Sequence, residues 1–181
     1  TTRSLERRLK EARANGVEAV VLEIDTPGGD LQATFEILDL IRTQAPANTI
    51  AWIRPRAFSA GTIIALATRE IVTTPNGVFG DAAPIQATPF TGLQQLPAAE
   101  RAKIEAPLLS ELVADARRQG WDEKLVQAFV AVDIELWLIQ NIQTGDRLFV
   151  DAAEYERIFG EAPVPTRVQR LPAPPAREKS T

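Results

Sequence analysis

A pair of glycines and a lone serine are the residues of this chain whose spacing best suits chemistry. Gly28 and Gly29 follow an apolar segment, and Ser59 follows a second apolar segment thirty residues later. Glycine lets the backbone approach a ligand closely, and a serine hydroxyl can attack a carbonyl carbon. The pattern predicts a serine nucleophile beside an oxyanion hole. We expect the backbone N–H groups of Gly28, Gly29 and Ala60 to form that hole.

A serine nucleophile needs a base, and the composition restricts the choice. The sequence contains no histidine, which leaves a lysine, a carboxylate or an N-terminal amine. Arginine stays protonated, whereas a lysine can act as a base if burial disfavours its charged form. Lys10 and Lys124 occupy polar helical positions and Lys179 lies near the C-terminus, whereas Lys103 follows an apolar segment. We therefore predict Lys103 as the base, with a solvated helix lysine as the alternative.

Both motifs also have a purely structural interpretation. The small residues after Ser59 would let a helix pack tightly on a sheet, and Gly28-Gly29 could simply form a strand-to-helix turn. Their occurrence in consecutive crossovers, at the same predicted sheet edge, favours the catalytic interpretation.

The composition excludes several classes of protein and site. The chain has 181 residues, 45% of them hydrophobic, and a net charge of −4, with basic residues scattered among acids. Nothing in this pattern indicates a nucleic-acid surface. Because Cys and His are both absent, we expect no disulfide and no zinc or other metal site. No apolar run approaches the roughly 20 residues of a membrane helix, so we expect a soluble piece of a longer protein.

Helical and strand-like patterns alternate through the first part of the chain. A βαβαβ order of this kind is typical of an α/β fold with a mostly parallel sheet and right-handed crossovers. The predicted elements are a helix over 4–14 capped by Ser4, a strand over Val17–Ile24, a helix over Leu31–Thr43, a strand over Thr49–Ile53, a helix over Ala60–Thr68 and a strand over Glu70–Thr74. In such sheets the working cleft lies beyond the carboxyl ends of the strands.

The segment 84–98 is rich in proline and apolar residues. We interpret it as a loop that either folds onto the core or forms a mobile rim for an extended peptide. Phe58, Phe90 and Leu93 are the predicted substrate contacts.

The remainder predicts further helices and a C-terminal hairpin. The predicted elements are helical segments over 99–119 and 122–132, broken near Pro107 and Gly120, a hairpin of Ile134–Gln140 with Arg147–Val150, and a short helix over Asp151–Phe159. We divide the chain into a domain over 1–160 and a Pro/Arg-rich linker or disordered tail over 161–181.

Four motifs in order resemble one family of proteases. Asp25–Gly29, Phe58–Thr62, Gly80–Ile85 and Lys103 are similar to the ClpP-class membrane serine proteases of the NfeD, or stomatin operon partner, type. The resemblance extends over about residues 5–132, and signal peptide peptidase of the SppA type and ClpP itself are more distant relatives.

The resemblance implies a ClpP/crotonase-like spiral and a serine endopeptidase with a dyad of Ser59 and Lys103. It implies no cofactor, apolar segments of stomatin-like membrane proteins as substrates, and a homo-oligomer, dimeric or larger. It also implies a membrane-associated, extracytoplasmic (periplasmic) domain, tethered by helices outside this chain.

Three departures from the family pattern stand out. We expect the sheet to lack the family's first strand, Asp81 replaces a small residue where it could pair with Lys103, and residues 133–160 differ from the usual closing segment. Two other functions therefore stay open. One is a catalytically silent domain that binds an extended peptide, and the other is a crotonase-like acyl-CoA enzyme.

Overall fold

The computed structural model describes residues 2–88, 92–95 and 97–163. The helices are α1 Thr2–Ala14, α2 Leu31–Gln44, α3 Ala60–Leu66, α4 Ala98–Gln119, α5 Glu123–Ala128 and α6 Ala152–Phe159. The strands are β1 Ala19–Thr26, β2 Asn48–Phe58, β3 Glu70–Thr73, β4 Val78–Gly80, β5 Ile85–Thr88, β6 Gly92–Gln95, β7 Trp137–Gln140 and β8 Arg147–Val150. The chain is therefore an α/β protein, as the alternating pattern predicts.

The central sheet is parallel and is organised around β2. This strand pairs along one edge with β1, while its other edge pairs first with β3 and then, further along, with β4. The pairing of β1 with β2 shifts by two residues between Ile24, which faces Ile53, and Thr26, which faces Ala57. Both glycines and Ser59 follow the carboxyl ends of these strands, where parallel sheets carry their ligand sites.

The second strand is longer than the sequence pattern predicts. The predicted strand ends at Ile53, before Pro55, whereas β2 continues to Phe58. Proline cannot donate to a sheet ladder, but Pro55 lies within the register shift, where the regular ladder is interrupted. β4, which the sequence pattern does not predict, pairs with the extension.

The helices pack on the sheet through an apolar core. Leu38 of α2, Ile63 of α3 and Leu112 of α4 belong to one buried cluster, which Val130 completes from the segment after α5. Burying each such side chain contributes about 1.5–3 kcal/mol to folding. Because α2 and α3 each begin directly after a candidate site loop, this core fixes the two loops relative to each other.

An ion-pair cluster joins α2 to α4. Arg42 binds Asp115, whose side chain is 0% exposed, with N–O distances of 2.6 and 3.0 Å, and it also binds Glu111. Arg118 is a second partner of Asp115. Burial lowers the pKa of Arg42, but the hydrogen bonds to Asp115 and Glu111 outweigh burial and leave the pKa above its ordinary value. The sequence pattern does not indicate this cluster, since Arg42 lies on α2 and the other members lie on α4.

The structure corrects three predictions about local elements. The segment predicted as a loop over 84–98 contains the antiparallel pair β5–β6. Helix α4 runs without a break through Pro107, because packing of buried residues such as Leu108 outweighs the cost of proline, about 3 kcal/mol. Ser4 is not the helix cap, since α1 already begins at Thr2.

The C-terminal elements follow the prediction more closely. β7 and β8 form an antiparallel hairpin, and Asp151 caps α6 in a reciprocal arrangement with Glu154. Lys124 of α5 binds Glu154 and so links the two helices. Within the described residues, none of the helices is long and apolar enough to span a membrane. Most of the tail predicted over 161–181, from residue 164 onward, lies outside the described residues.

Candidate active site

Ser59 lies on the tight turn between β2 and α3 in a conformation that only few residues adopt. Its backbone angles are φ 50° and ψ −118°, and its side chain makes no capping hydrogen bond to the helix that follows. A residue other than glycine held at positive φ costs about 1–3 kcal/mol and occurs preferentially at functional sites. A strained strand-to-helix turn of this kind holds a nucleophile clear of the backbone.

Gly28 packs directly against Ser59. A β-carbon built at position 28 would lie 2.9 Å from Ser59 Cβ and 3.3 Å from Ser59 Oγ, and the φ of Gly28 is 130°. Gly29 lies beside the start of α3, since a β-carbon at position 29 would stand 3.9 Å from Ala60 Cβ. The structure thus brings together the glycine pair and the serine turn, which are remote in sequence.

The backbone N–H groups at this junction differ in their availability. Gly28 N–H donates to Thr26 Oγ1 at 3.1 Å, and Thr26 Oγ1 also lies 3.0 Å from Gly28 O. This hydrogen bond engages the N–H that we predicted for Gly28 as an oxyanion donor. Gly29 N–H and Ala60 N–H have no hydrogen-bond partner among the described residues.

A buried threonine holds the end of β2 against β4. Thr62 Oγ1 lies 2.6 Å from Ala57 O and 2.8 Å from Gly80 O, and it accepts the N–H of Gly80 at 2.8 Å. Gly80 O also accepts the N–H of Ser59 at 3.0 Å. The sequence motif includes Thr62 and Gly80, but nothing in the spacing alone indicates that they bind each other.

An apolar cavity of about 450 Å³ opens beside Ser59. Its apolar lining includes Leu31, Ile63, Ala82, Pro84, Ile104 and Leu108. Two polar side chains of the lining are already engaged, since Asp30 caps α2 at 2.8 Å and Thr34 donates to Asp30 O at 2.8 Å. The cavity therefore suits an apolar side chain next to the Ser59 hydroxyl.

Lys103 lies close to this cavity in the chain but not in its wall. Its neighbour Ile104 and, one turn later, Leu108 both line the cavity, whereas the Lys103 side chain is exposed and is not among the lining residues. Nearby on the same helix, Glu105 Oε1 lies 3.4 Å from Arg101 Nε. In this structure Lys103 therefore lies outside the cavity that Ser59 lines.

The other predicted site residues have mixed positions. Phe58 ends β2 and is half-buried, but it does not line the cavity. Phe90 lies outside the described residues, as does the side chain of Leu93, whose backbone belongs to β6. Asp81 is exposed, has a φ of 50° and forms no ion pair with Lys103.

A separate cavity of about 630 Å³ lies between α5, β7 and the start of α6, and Lys124, Trp137 and Asp151 line it. The hydrogen bond to Glu154 raises the pKa of Lys124 and keeps the amine charged, which is unsuited to a base. No cluster of residues able to hold a metal ion occurs in the described part of the chain.

Comparison with solved structures identifies the fold. The chain superimposes on the 1510-N membrane-bound stomatin-specific protease, a lysine-to-alanine variant in complex with a substrate peptide, with a TM-score of 0.64 and 24% identity, covering 86% of this chain and 64% of the other. It also resembles ClpP1 from Listeria monocytogenes, with a TM-score of 0.51 and 17% identity, covering 86% and 78%. These similarities establish the ClpP-like fold.

Sequence comparisons identify the family. The membrane protein NfeD1b of Bacillus subtilis is 31% identical over 148 residues, and the membrane-bound protease PH1510 of Pyrococcus horikoshii is 28% identical over 149 residues. These alignments cover 82% and 77% of this chain but 32% of each relative, so the chain spans about a third of their length. The family model "NfeD1b, N-terminal domain" matches residues 2–159. The chain therefore belongs to the NfeD1b N-terminal domain family.

Proposed function

We propose that this chain is the peptidase domain of a membrane-associated serine endopeptidase. Ser59 is the nucleophile, Lys103 is the general base, and the N–H groups of Gly29 and Ala60 stabilise the oxyanion. The observation that carries this proposal is the strained turn at Ser59, which packs against Gly28 beside an apolar cavity. The similarity to the protease PH1510 supports the same reaction.

The reaction proceeds through an acyl-enzyme. Lys103 Nζ accepts the hydroxyl proton as Ser59 Oγ bonds to the scissile carbonyl carbon, and the carbonyl oxygen becomes negative. The C–N bond then breaks, and the leaving amine takes the proton from Lys103. Water next gives a proton to Lys103 and attacks the carbonyl carbon of the ester. The bond between that carbon and Ser59 Oγ then breaks, and Ser59 takes its proton back from Lys103.

The base must be neutral when it accepts the proton. Lys103 is exposed in the free protein, and removal from water favours the neutral form of a lysine. We propose that a peptide bound across the cavity mouth covers Lys103, so that the dyad forms with substrate present. Hydrogen bonds between catalytic groups often tighten only in such complexes.

The substrate we propose is an apolar segment of a stomatin-like membrane protein. The apolar lining of the cavity fits such a segment, and the similar 1510-N protease is described as specific for stomatin. We further propose an extracytoplasmic domain that assembles as a homodimer or larger homo-oligomer, in line with the family resemblance.

Two variants and their matched controls test this proposal. Cleavage of a fluorogenic peptide with leucine before the scissile bond is measured for Ser59→Ala and Lys103→Arg. We expect Ser59→Ala to abolish cleavage, and Lys103→Arg to reduce it at least a hundredfold because guanidinium stays protonated. Ser110→Ala and Lys10→Arg are the controls, since both residues are exposed on helices and are expected to leave the rate unchanged. Cleavage that persists in Ser59→Ala rules out the dyad.

One observation favours a second candidate, a peptide-binding domain without catalysis. The exposed Lys103 outside the cavity wall would then be an ordinary surface lysine, and Ser59→Ala would bind the same peptide as tightly while the wild type leaves it uncut. The acyl-CoA interpretation is less well supported, since the described lining residues include no Lys or Arg for nucleotide phosphates.

A further inference from the structure

We infer that Thr62 is the positioning residue of the Ser59 nucleophile, an inference that rests on the function proposed above. Thr62 does not line the cavity, so it acts through the backbone of the turn. Its side chain is completely buried, with 0% exposure.

The first step is that the Ser59 turn needs an external restraint. Its positive φ is unfavourable for a serine, so the turn persists only where its surroundings fix both ends. Before the turn, Phe58 pairs with Gly80 across the sheet. After the turn, Ile63 N–H donates to Ser59 O at 3.2 Å. In the turn itself, Ser59 N–H donates to Gly80 O at 3.0 Å. Gly80 is therefore the point on β4 to which the turn is attached.

The second step is that a single hydroxyl fixes this attachment point. Thr62 Oγ1 accepts the N–H of Gly80 and lies within hydrogen-bond distance of two carbonyl oxygens, those of Gly80 and Ala57. Its one proton serves one of these oxygens at a time. The hydroxyl thus links Ala57, two residues before Ser59, to Gly80, whose carbonyl oxygen accepts the Ser59 N–H.

The third step is that valine is an informative substitution here. Valine has nearly the shape of threonine but no hydroxyl, so Thr62→Val leaves the buried Gly80 N–H without its acceptor. Thr62→Ser retains the hydroxyl and removes a methyl group. If the hydroxyl positions the turn, the serine variant rescues what the valine variant loses.

The chain offers a matched control just beyond the other end of the same helix. Thr68 is also buried, at 1% exposure, and its Oγ1 contacts Ala65 O at 2.7 Å and Glu70 O at 3.0 Å, beyond the other end of α3. Thr68→Val therefore removes a comparable buried hydroxyl away from Ser59. A loss of stability alone should affect both valine variants similarly.

The experiment measures two readouts on the same four proteins, namely the wild type and the three variants. The first is the rate of covalent labelling of Ser59 by a fluorophosphonate, and the second is hydrogen exchange of the Ser59 and Gly80 amides. We expect Thr62→Val to label at least tenfold more slowly and to exchange both amides at least tenfold faster. Thr62→Ser and Thr68→Val should stay within about threefold of the wild type.

The two readouts separate this inference from the proposed function. If the wild type does not label at Ser59, the proposed nucleophile fails, while amide exchange still tests the positioning by Thr62. Wild-type exchange at Ser59 and Gly80 in Thr62→Val overturns the inference. Equal changes in Thr62→Val and Thr68→Val also overturn it, because they would reveal a general loss of stability.

Discussion

The α-carbon of Gly28 lies so close to Ser59 that a β-carbon at position 28 would stand 2.9 Å from the β-carbon of Ser59. Real β-carbons essentially never approach other atoms so closely, and both atoms here belong to short, constrained turns. The glycine motif and the serine motif therefore depend on each other sterically.

Gly28→Ala should reduce peptide cleavage about a hundredfold or more. The added methyl group displaces the Ser59 turn or the glycine loop, and so moves an oxyanion donor, a loss that typically costs that much in rate. Gly16→Ala is the matched control, because Gly16 also has positive φ, 64°, but has no atom within 4 Å of the added methyl. Gly16→Ala should lose about 1–2 kcal/mol of stability from backbone strain, Gly28→Ala should lose more because its methyl group also clashes with Ser59, and only Gly28→Ala should lose activity. Cleavage and urea unfolding measure the two effects, and equal activity losses would contradict the steric argument.

Ile104→Gln should weaken binding of apolar substrates. Ile104 lines the cavity beside Ser59, and a polar amide there removes favourable contact with an apolar side chain. We expect kcat/KM for a peptide with leucine before the scissile bond to fall about tenfold, mainly through KM, since one apolar contact is worth roughly 1–3 kcal/mol. The control is Ile142→Gln, whose side chain is 100% exposed. An unchanged KM would indicate that the substrate side chain occupies another site.

Asp115→Asn should destabilise the protein by about 3 kcal/mol. The substitution removes the fully buried carboxylate of the cluster and leaves Arg42 with only the half-exposed Glu111 as its partner, and breaking a buried ion pair by removing one partner typically costs this amount. Glu111→Gln is the control, because Glu111 binds the same Arg42 from a side chain that is 44% exposed. We expect it to cost less than about 1 kcal/mol. Chemical unfolding measures both values, and similar costs would refute the importance of burial.

The link between Lys124 and Glu154 should make stability depend on pH. Hydrogen bonding to Lys124 lowers the pKa of Glu154 below its ordinary value of 4.5, and hydrogen bonding to Glu154 raises the pKa of Lys124 above 10.5. The contribution of Glu154 is present above pH 4.5 and disappears as pH falls through its lowered pKa. The contribution of Lys124 is present below pH 10.5 and disappears as pH rises through its raised pKa.

The corresponding measurement is a double-mutant cycle with Lys124→Met and Glu154→Gln, followed by urea unfolding across the pH range. The coupling free energy should be favourable between the two limits and should vanish in strong acid and strong base. A coupling that does not change with pH would mean that the pair contributes through packing and not through charge.

The sequence predicts a mostly parallel sheet and the meeting of two motifs at one of its edges, because both follow from local patterns. Apolar strands, glycine turns and helical spacing are visible in Val17–Ile24 and Leu31–Thr43, and parallel strands must end at one edge. The structure confirms these elements to within a few residues at their ends.

Features that depend on distant residues could not be predicted in the same way. The extension of β2 past Pro55 depends on its pairing with β4, and the continuity of α4 through Pro107 depends on buried contacts of later turns. The hydrogen bond that engages Gly28 N–H requires the rotamer of Thr26. The exposure of Lys103 likewise depends on how α4 is oriented, which its own sequence does not specify.

The register shift between β1 and β2 determines which residues of the glycine and serine motifs lie side by side. Continuing the pairing of Thr26 with Ala57 brings Gly28 level with Ser59, whereas the earlier pairing of Ile24 with Ile53 would bring Gly28 level with Ala57. Because the shift is even, side chains on both strands keep the same faces, and only their position along the strand changes. Between these two pairs β2 carries two more residues than β1, so removing both would leave an uninterrupted ladder in which Gly28 is still level with Ser59. Removing only one would invert the faces of the residues that follow it relative to β1. An even number of extra residues in this short stretch is therefore a stricter constraint on insertions and deletions than its amino-acid composition.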